Sequence, residues 1–337
     1  MGSKVSLQTI ANKMNVTKVT VHRALRNHPG VGQKLKEEII KCAEELGYSA
    51  DKPLLMKISK NLAYFIPARY FYESEKFYNE IYYNLKAMCD SADISIRLFP
   101  ISSSDEKNMI FPDEINKESF SGIFIAGNMD KNFILAVKRT SIPLVLIDYF
   151  HKDLDCSAVV ADNYYMGYTA ALHLIENGHK NIGFVGNYKK ISNITDRCLG
   201  MQKALMEYDL PINYDNFILN NNYETGLYTV NFDIPNPLPT AFICFCDMAA
   251  HFLHEKLKVL NIKVPDEVSI ISFDNTEISN NFEPPLTSIY VSRKDFANAA
   301  FESIAEQINS PENAPQKIIL PFTSAIRSSV KNIKDFS

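Results

Sequence analysis

The sequence predicts an α/β protein in two unequal parts, a small three-helix module at the N-terminus and a larger body of two doubly wound α/β lobes. Three observations lead there. First, charge is segregated: residues 1–60 hold eleven Lys or Arg against five acids, a balance of +6 that leaves −10 for the rest of a chain whose net charge is −4. Second, from residue 61 short apolar runs alternate with amphipathic helical stretches, the pattern of parallel-sheet α/β units. Third, 337 residues at 46% apolar composition exceed one ordinary core and call for several domains.

In the first part, Leu7, Ile10, Ala11 and Met14 recur at helical spacing after Ser6, predicting a helix over about 7–14 that ends at Asn15. Thr17 then caps a second helix whose inward face is Val21, Ala24 and Leu25, leaving Lys18, Val19, His22 and Arg23 outward. Asn27-His28-Pro29-Gly30 reads as a turn. Leu35, Ile39, Ile40, Cys42, Ala43 and Leu46 mark a third helix ending at Gly47. A tight break between the first two helices makes a helix-turn-helix, in which the start of the second helix meets base edges in the major groove. The plainer alternative is an αα-hairpin with a solvated basic face. The basic module on an acidic body favours a local polyanion footprint rather than nucleic acid wrapped around the whole molecule.

In the body, strands are predicted at Leu62–Ile66, Ile94–Phe99, Gly122–Ala126, Leu144–Ile147, Ile182–Val185, Ala241–Cys246 and Val268–Phe273, with helices at 76–90, 164–177, 196–207 and 248–260. Open α/β sheets bind ligands outside the carboxyl ends of their strands. Polar residues just past strand ends are therefore informative: Asn128, Asp148, Asp247 and Asp274, with Arg197 near a helix start. Any one of them alone reads as a helix cap or loop residue. Together they suit a cleft that hydrogen-bonds a hydroxyl-rich small molecule. Tyr70 and Phe71, in the run Arg69-Tyr70-Phe71-Tyr72 after the first strand, can stack on a sugar ring or pack in the core.

Other classes find little support. No apolar run reaches the 18 residues of a membrane span, and the N-terminus lacks an apolar signal segment. Six scattered cysteines without a CxxC pair or zinc spacing read as reduced thiols in a cytoplasm, with no metal or cofactor expected. There is no GxxxxGK[ST] loop, GxSxG elbow or HExxH. Asp148, Asp247 and Asp274 in one cleft leave glycoside cleavage as an enzyme alternative.

The N-terminal run Ser6-Leu7-Gln8-Thr9-Ile10-Ala11, then Val16 through Leu25, Pro29-Gly30-Val31 and Glu45-Leu46-Gly47-Tyr48, resembles the headpiece of the lactose-repressor (LacI/GalR) family. The resemblance continues through Ala161-Asp162-Asn163, Gly178-His179, Gly183-Phe184-Val185-Gly186, Asp196-Arg197, Asp247, Phe273-Asp274-Asn275, Pro284 to Ile289, Leu320-Pro321 and Arg327, covering almost the whole chain. It implies a DNA-binding headpiece at 1–48, a hinge linker at 49–60 and an effector body at 61–337 with a periplasmic-binding-protein-like fold. Lobe 1 would be about 61–160 and 292–322, lobe 2 about 161–291 and 323–337. It implies base reading by Lys18 and Val19 after the capping Thr17, helped by Arg23. His22 stands where the family usually has Ser. Effector contacts carry over to Asp148, Arg197, Asp247 and Asp274.

Departures from the family accompany these matches. Cys246 stands where an Asn is common, and Arg293 where an aromatic often stacks on the sugar. The linker lacks the family's Ala-Arg pair; Leu54, Leu55 or Met56 would supply a minor-groove wedge, or the segment packs on the body. The resulting expectation is a cytoplasmic transcriptional repressor binding a pseudo-palindromic operator in double-stranded DNA as a homodimer, controlled by a small-molecule effector, a carbohydrate. The alternatives are a nucleobase, nucleoside or protein effector, or a solute-binding protein on the same lobes.

Overall fold

The computed structural model describes residues 7–25, 31–46, 61–71, 76–222, 227–229 and 231–334. Two compact units, Met1–Ile58 and Ser59–Ser337, are taken one at a time.

In the small unit α1 (Leu7–Met14), α2 (Lys18–Leu25) and α3 (Gln33–Glu45) enclose a core of Ile10, Ala11, Val21, Ala24, Ile39, Cys42 and Ala43. The break between α1 and α2 has a local cause. Asn15 takes a left-handed φ of 52°, and the Val16 N–H reaches back to the Ala11 carbonyl at 3.0 Å, closing the helix end. The Thr17 hydroxyl then accepts the Thr20 N–H at 3.1 Å and starts α2. A tight helix-turn-helix follows. Leu54, Leu55 and Met56 lie outside the described residues.

The large unit is built on two six-stranded sheets. The first uses β1 (Asn61–Pro67), β2 (Ser95–Ile101), β3 (Gly122–Ala126), β4 (Leu144–Ile147) and β5 (Ser157–Ala161), separated by helices that include α4 (Phe77–Ser91), α5 (Ser103–Asn108) and α6 (Lys131–Lys138). The second lobe begins with α7 (Asn163–Glu176). It continues through β6 (Ile182–Val185), α8 (Ser192–Glu207), β7 (Phe217–Ile218), β8 (Ala241–Cys244), α9 (Asp247–Val259), β9 (Ser269–Phe273) and β10 (Thr287–Tyr290). The chain then returns: α10 (Arg293–Asn309) packs on α4 and the first sheet, and β11 (Lys317–Leu320) pairs with β5. Finally β12 (Thr323–Ala325) joins the second sheet antiparallel to β10. The orders are β11-β5-β4-β3-β1-β2 and β12-β10-β9-β8-β6-β7. The polypeptide crosses between lobes three times, near residues 162, 292 and 322.

Helices cover both faces of each parallel sheet, so central strands such as Ile123–Ala126 and Ile270–Phe273 are buried on every residue. Two glycines set the geometry of the second lobe. A Cβ at Gly167 of α7 would overlap the Arg197 carbonyl of α8, and one at Gly200 of α8 would overlap the Tyr164 carbonyl of α7. The two backbones meet without side chains between them, which fixes Arg197 relative to α7.

Two predicted elements change by more than a residue or so, and several strands are new. The strand expected over Ala241–Cys246 ends at Cys244, because Cys246 is the cap of α9 and its Sγ accepts the Ala249 N–H at 3.3 Å. The helix expected over 196–207 starts at Ser192, one turn earlier, without any side-chain cap to announce it. The short strands β5, β7, β10, β11 and β12 were not singled out from the sequence. No helix among the described residues is long and apolar enough to cross a membrane.

Candidate functional site

A cleft of about 740 Å³, counted together with the open space at its mouth, lies where the carboxyl ends of the two sheets face each other. Its floor comes from strand ends: Asn128 just past β3, Asp148 directly after β4, Phe245 and Cys246 after β8, and Asp274 directly after β9. Two of these hold unusual backbone. Asp148 has φ 57° and Asp274 φ 94°, conformations that cost an L-residue free energy and concentrate at binding sites. Gly127, at φ 80°, leaves room for aromatic rings, since a Cβ there would lie 3.0 Å from both Tyr70 and Tyr78.

Asp148 is the polar centre of the first lobe's wall. Its Oδ2 accepts the Tyr78 hydroxyl at 2.9 Å and the Asn193 side-chain amide at 3.1 Å, while Oδ1 is buried without a hydrogen-bond partner. Tyr78 belongs to α4 and Asn193 to α8, so this bond joins the lobes directly. Burial pushes the Asp148 carboxyl up to about 6, against the pull of Arg197 and the Tyr78 hydrogen bond.

Arg197, 5% exposed, is the basic group of the second lobe's wall. Its Nε donates to Asn163 Oδ1 at 2.8 Å, Nη1 donates to the Phe245 carbonyl, and Nη2 stands 3.6 Å from Asp274 Oδ1, an ion pair beyond hydrogen-bond reach. The guanidinium also lies 4.6 Å from the Phe273 ring centroid. Burial raises the Asp274 carboxyl above its ordinary value, with Arg197 and Arg293 opposing. Behind the first wall, the Arg69–Glu106 pair is 2.6 Å long and 6% exposed on both sides. Arg69 donates to the Asn128 carbonyl and Glu106 accepts the Asp130 N–H, pinning the turn that carries Asn128.

Of the effector residues expected from the sequence, the cavity gathers Tyr70, Asn128, Asp148, Arg197 and Asp274. Three expectations need correction. Asp247 does not line the cavity. It is 1% exposed, and its carboxylate accepts the Ser272 hydroxyl at 2.5 Å, the Ser288 hydroxyl at 2.8 Å, and the Thr276 N–H and hydroxyl at 2.6 and 2.9 Å. It ties α9 to the loop after β9. The three-carboxylate cluster that a glycosidase reading invoked is accordingly not formed around the cavity. Arg293 also stands off the lining: its Nε pairs with Glu80 at 3.1 Å, its Nη2 lies 3.4 Å from the Asn275 carbonyl, and it sits 5.4 Å from the Phe77 ring centroid. Phe71, at the end of a four-residue helix, does not reach the cavity either, and Tyr72 is outside the described residues.

The structure adds Phe77, Tyr78, Ile191, Asn193, Ile194, Asn221, Asn222, Tyr228 and Phe245. Asn193 was legible in principle, being one helical turn before Arg197 on the same face. Tyr228 and Phe245, near-parallel rings 6.1 Å apart, meet from the segment between β7 and β8 and from the two-residue link between β8 and α9.

On the headpiece, Lys18 and Val19 open α2 and are exposed, Val19 by 60%. Arg23 is exposed one turn beyond Val19. His22 lies on the same helix, its side chain outside the description. No group of His, Cys, Asp and Glu that could hold a metal ion occurs among the described residues.

Comparison with known proteins matches residues 6–51 to the domain of bacterial regulatory proteins, lacI family, and residues 171–330 to a periplasmic binding protein-like domain. The HTH-type transcriptional repressor PurR of Vibrio parahaemolyticus is 26% identical over 97% of this chain and 99% of its own. A transcriptional regulator CelR–cellobiose complex superposes with a TM-score of 0.70 at 17% identity, covering 97% of this chain and all of that one. A LacI family regulator from Enterococcus faecium with bound ribose gives 0.69 at 22% identity, over 82% of this chain and all of that one. With a helix-turn-helix of the lacI type ahead of a two-lobed binding body along its length, the chain belongs to the lacI family of DNA-binding transcriptional repressors.

Proposed function

We propose that this repressor is released from, or recruited to, its operator by a carbohydrate held between the two lobes. The observation that carries the reading is the convergence on one cavity of an acceptor, Asp148, and a donor–acceptor pair, Arg197 with Asp274, beside the rings of Tyr70, Phe77, Tyr78 and Phe245. A sugar offers vicinal hydroxyls to the polar groups and an apolar ring face to the aromatic ones. Two proteins of the same fold were solved with cellobiose and with ribose, which supports the class of ligand. Asn128 would contribute a further hydrogen bond. The operator would be a pseudo-palindrome in double-stranded DNA bound by a homodimer in the cytoplasm, with Lys18 and Val19 reading bases and Thr17, His22 and Arg23 assisting. Effector binding would alter the lobes' relative orientation, a two-state element that couples the cleft to DNA.

Calorimetry of the full-length protein against mono- and oligosaccharides, with nucleosides and nucleobases as controls, tests the ligand class. A saccharide should bind, and Arg197→Ala or Asp274→Ala should weaken it about ten- to hundredfold, the equivalent of about 1.5 to 3 kcal/mol for a charge-assisted hydrogen bond. A nucleoside or nucleobase that binds where no saccharide does overturns the carbohydrate assignment and leaves the repressor intact.

A further inference from the structure

The charges around the cavity do not balance. Two carboxylates, Asp148 and Asp274, line it, and a single guanidinium on the lining, Arg197, answers them. Arg293 is shared with Glu80, and Arg197 already serves Asn163, the Phe245 carbonyl and Asp274. Asp148 is the carboxylate left short. Both of its donors, Tyr78 and Asn193, go to Oδ2, so Oδ1 is a buried oxygen without a hydrogen-bond partner among the described residues, on a side chain that lines the cavity. Burial of a charge without full compensation is costly. Burial pushes the Asp148 carboxyl up to about 6, with Arg197 pulling it down and the charge of Asp274 adding to the rise.

We propose that the effector is an aminated carbohydrate whose protonated amino group seats on Asp148 Oδ1. The proposal rests on the carbohydrate reading above and narrows it. A hydroxyl can give Oδ1 one hydrogen bond but leaves the excess negative charge in place, whereas an ammonium supplies donors and cancels charge. The Tyr78 ring lines the cavity beside Asp148, while the Tyr70 ring, 5.4 Å from that of Tyr78, already carries the Arg69 guanidinium 5.0 Å from its centroid. Uronic acids and sugar phosphates, adding negative charge to the same space, are disfavoured.

The test uses matched pairs on the full-length protein at pH 7.5: glucosamine with glucose, galactosamine with galactose, and the disaccharide of glucosamine with cellobiose, plus N-acetylglucosamine and glucose 6-phosphate. At least one amine should bind tenfold or more tighter than its neutral partner, and the Asp148→Asn variant should erase that difference. Since an altered Asp148 could perturb folding, the wild type provides an independent reading. The groups facing Asp148 are Tyr64, Tyr78, Asn193, Arg197 and Asp274, and as pH falls from 7.5 to 5 its carboxylate takes up a proton, so the amine's advantage should shrink. Equal or tighter binding of the neutral partners, or an amine preference that survives both Asp148→Asn and acidification, overturns the proposal. Failure of every saccharide to bind overturns the carbohydrate reading, and this proposal with it.

Discussion

Replacing Asp247 separates a structural carboxylate from a ligand contact. Its two oxygens accept four hydrogen bonds from Ser272, Ser288 and Thr276, and nothing of it lines the cavity. In Asp247→Asn the amide can turn its oxygen to the Thr276 N–H and hydroxyl and its NH₂ to the two serine hydroxyls, which can also accept. Repulsion with Asp274 is removed at the same time. The cost should be about 1 kcal/mol or less. In Asp247→Ala the serine hydroxyls can rotate, but the Thr276 N–H cannot, and each buried donor left unpaired costs about 1 to 3 kcal/mol. Adding the lost bonds gives about 3 to 5 kcal/mol, or about 5 to 9 °C in Tm for a unit of this size. Thermal denaturation of both variants, followed by effector calorimetry, reads the two effects. Loss of effector binding in Asp247→Asn with an unchanged Tm would refute the structural assignment, as would an Ala variant as stable as wild type.

Three other predictions follow from the same geometry. The raised carboxyl of Asp148 means the native state holds its proton more tightly than the unfolded chain. The wild type should therefore lose stability relative to Asp148→Asn as pH rises from about 4 through about 6, by up to about 3 kcal/mol; a difference in urea midpoints that does not vary with pH counts against it. Gly167→Ala should cost about 1 to 3 kcal/mol by forcing α7 from α8, and should weaken effector binding through Arg197, whereas an unchanged Tm would mean that the close approach is not required. Lys18→Ala should relax base preference at one symmetric pair of operator positions by about 1 to 3 kcal/mol in a binding assay across single-base operator variants; uniform weakening across all of them would make Lys18 a phosphate contact.

Much of the molecule was legible wherever local chemistry decides structure. Thr17, Asn15 and the spacing of Ile10, Val21 and Ile39 carry the helix-turn-helix, because caps and helical periodicity act over a few residues. Apolar runs gave Gly122–Ala126, Leu144–Ile147 and Ile182–Val185 to the residue and the other central strands to within one or two residues at each end, since both of their faces are covered. The site was half visible. Asp148 and Asp274 follow strand ends, and that rule placed them at the cavity, yet it also nominated Asp247, which sits one residue past the cap of α9 and turns its carboxylate away from the opening toward Ser272 and Ser288. Position after a strand fixes where a backbone emerges but not where its side chain finds partners. Tyr78 was missed for a related reason: it meets Asp148 from an element 70 residues away, and no local pattern encodes such a meeting, whereas Asn193 could have been found only through its place one turn before Arg197.

The three crossings between the lobes also constrain how the protein can be made. The first sheet cannot receive its edge strand β11, nor its covering helix α10, until the chain has been synthesised to residue 320, although its first strand begins at residue 61. The second sheet, started inside that interval, is completed by β12 only at residue 325. Vectorial synthesis therefore presents the cell with two incomplete sheets that finish almost together. A fragment ending near residue 291 would lack α10 and β11 and expose the flank of β5 along with the face that α10 covers, including the Gly122 site, where a Cβ would lie 2.6 Å from Ile304. Neither lobe corresponds to a contiguous piece of polypeptide, so dissecting this repressor into separately expressed lobes requires circular permutation or coexpressed segments rather than truncation.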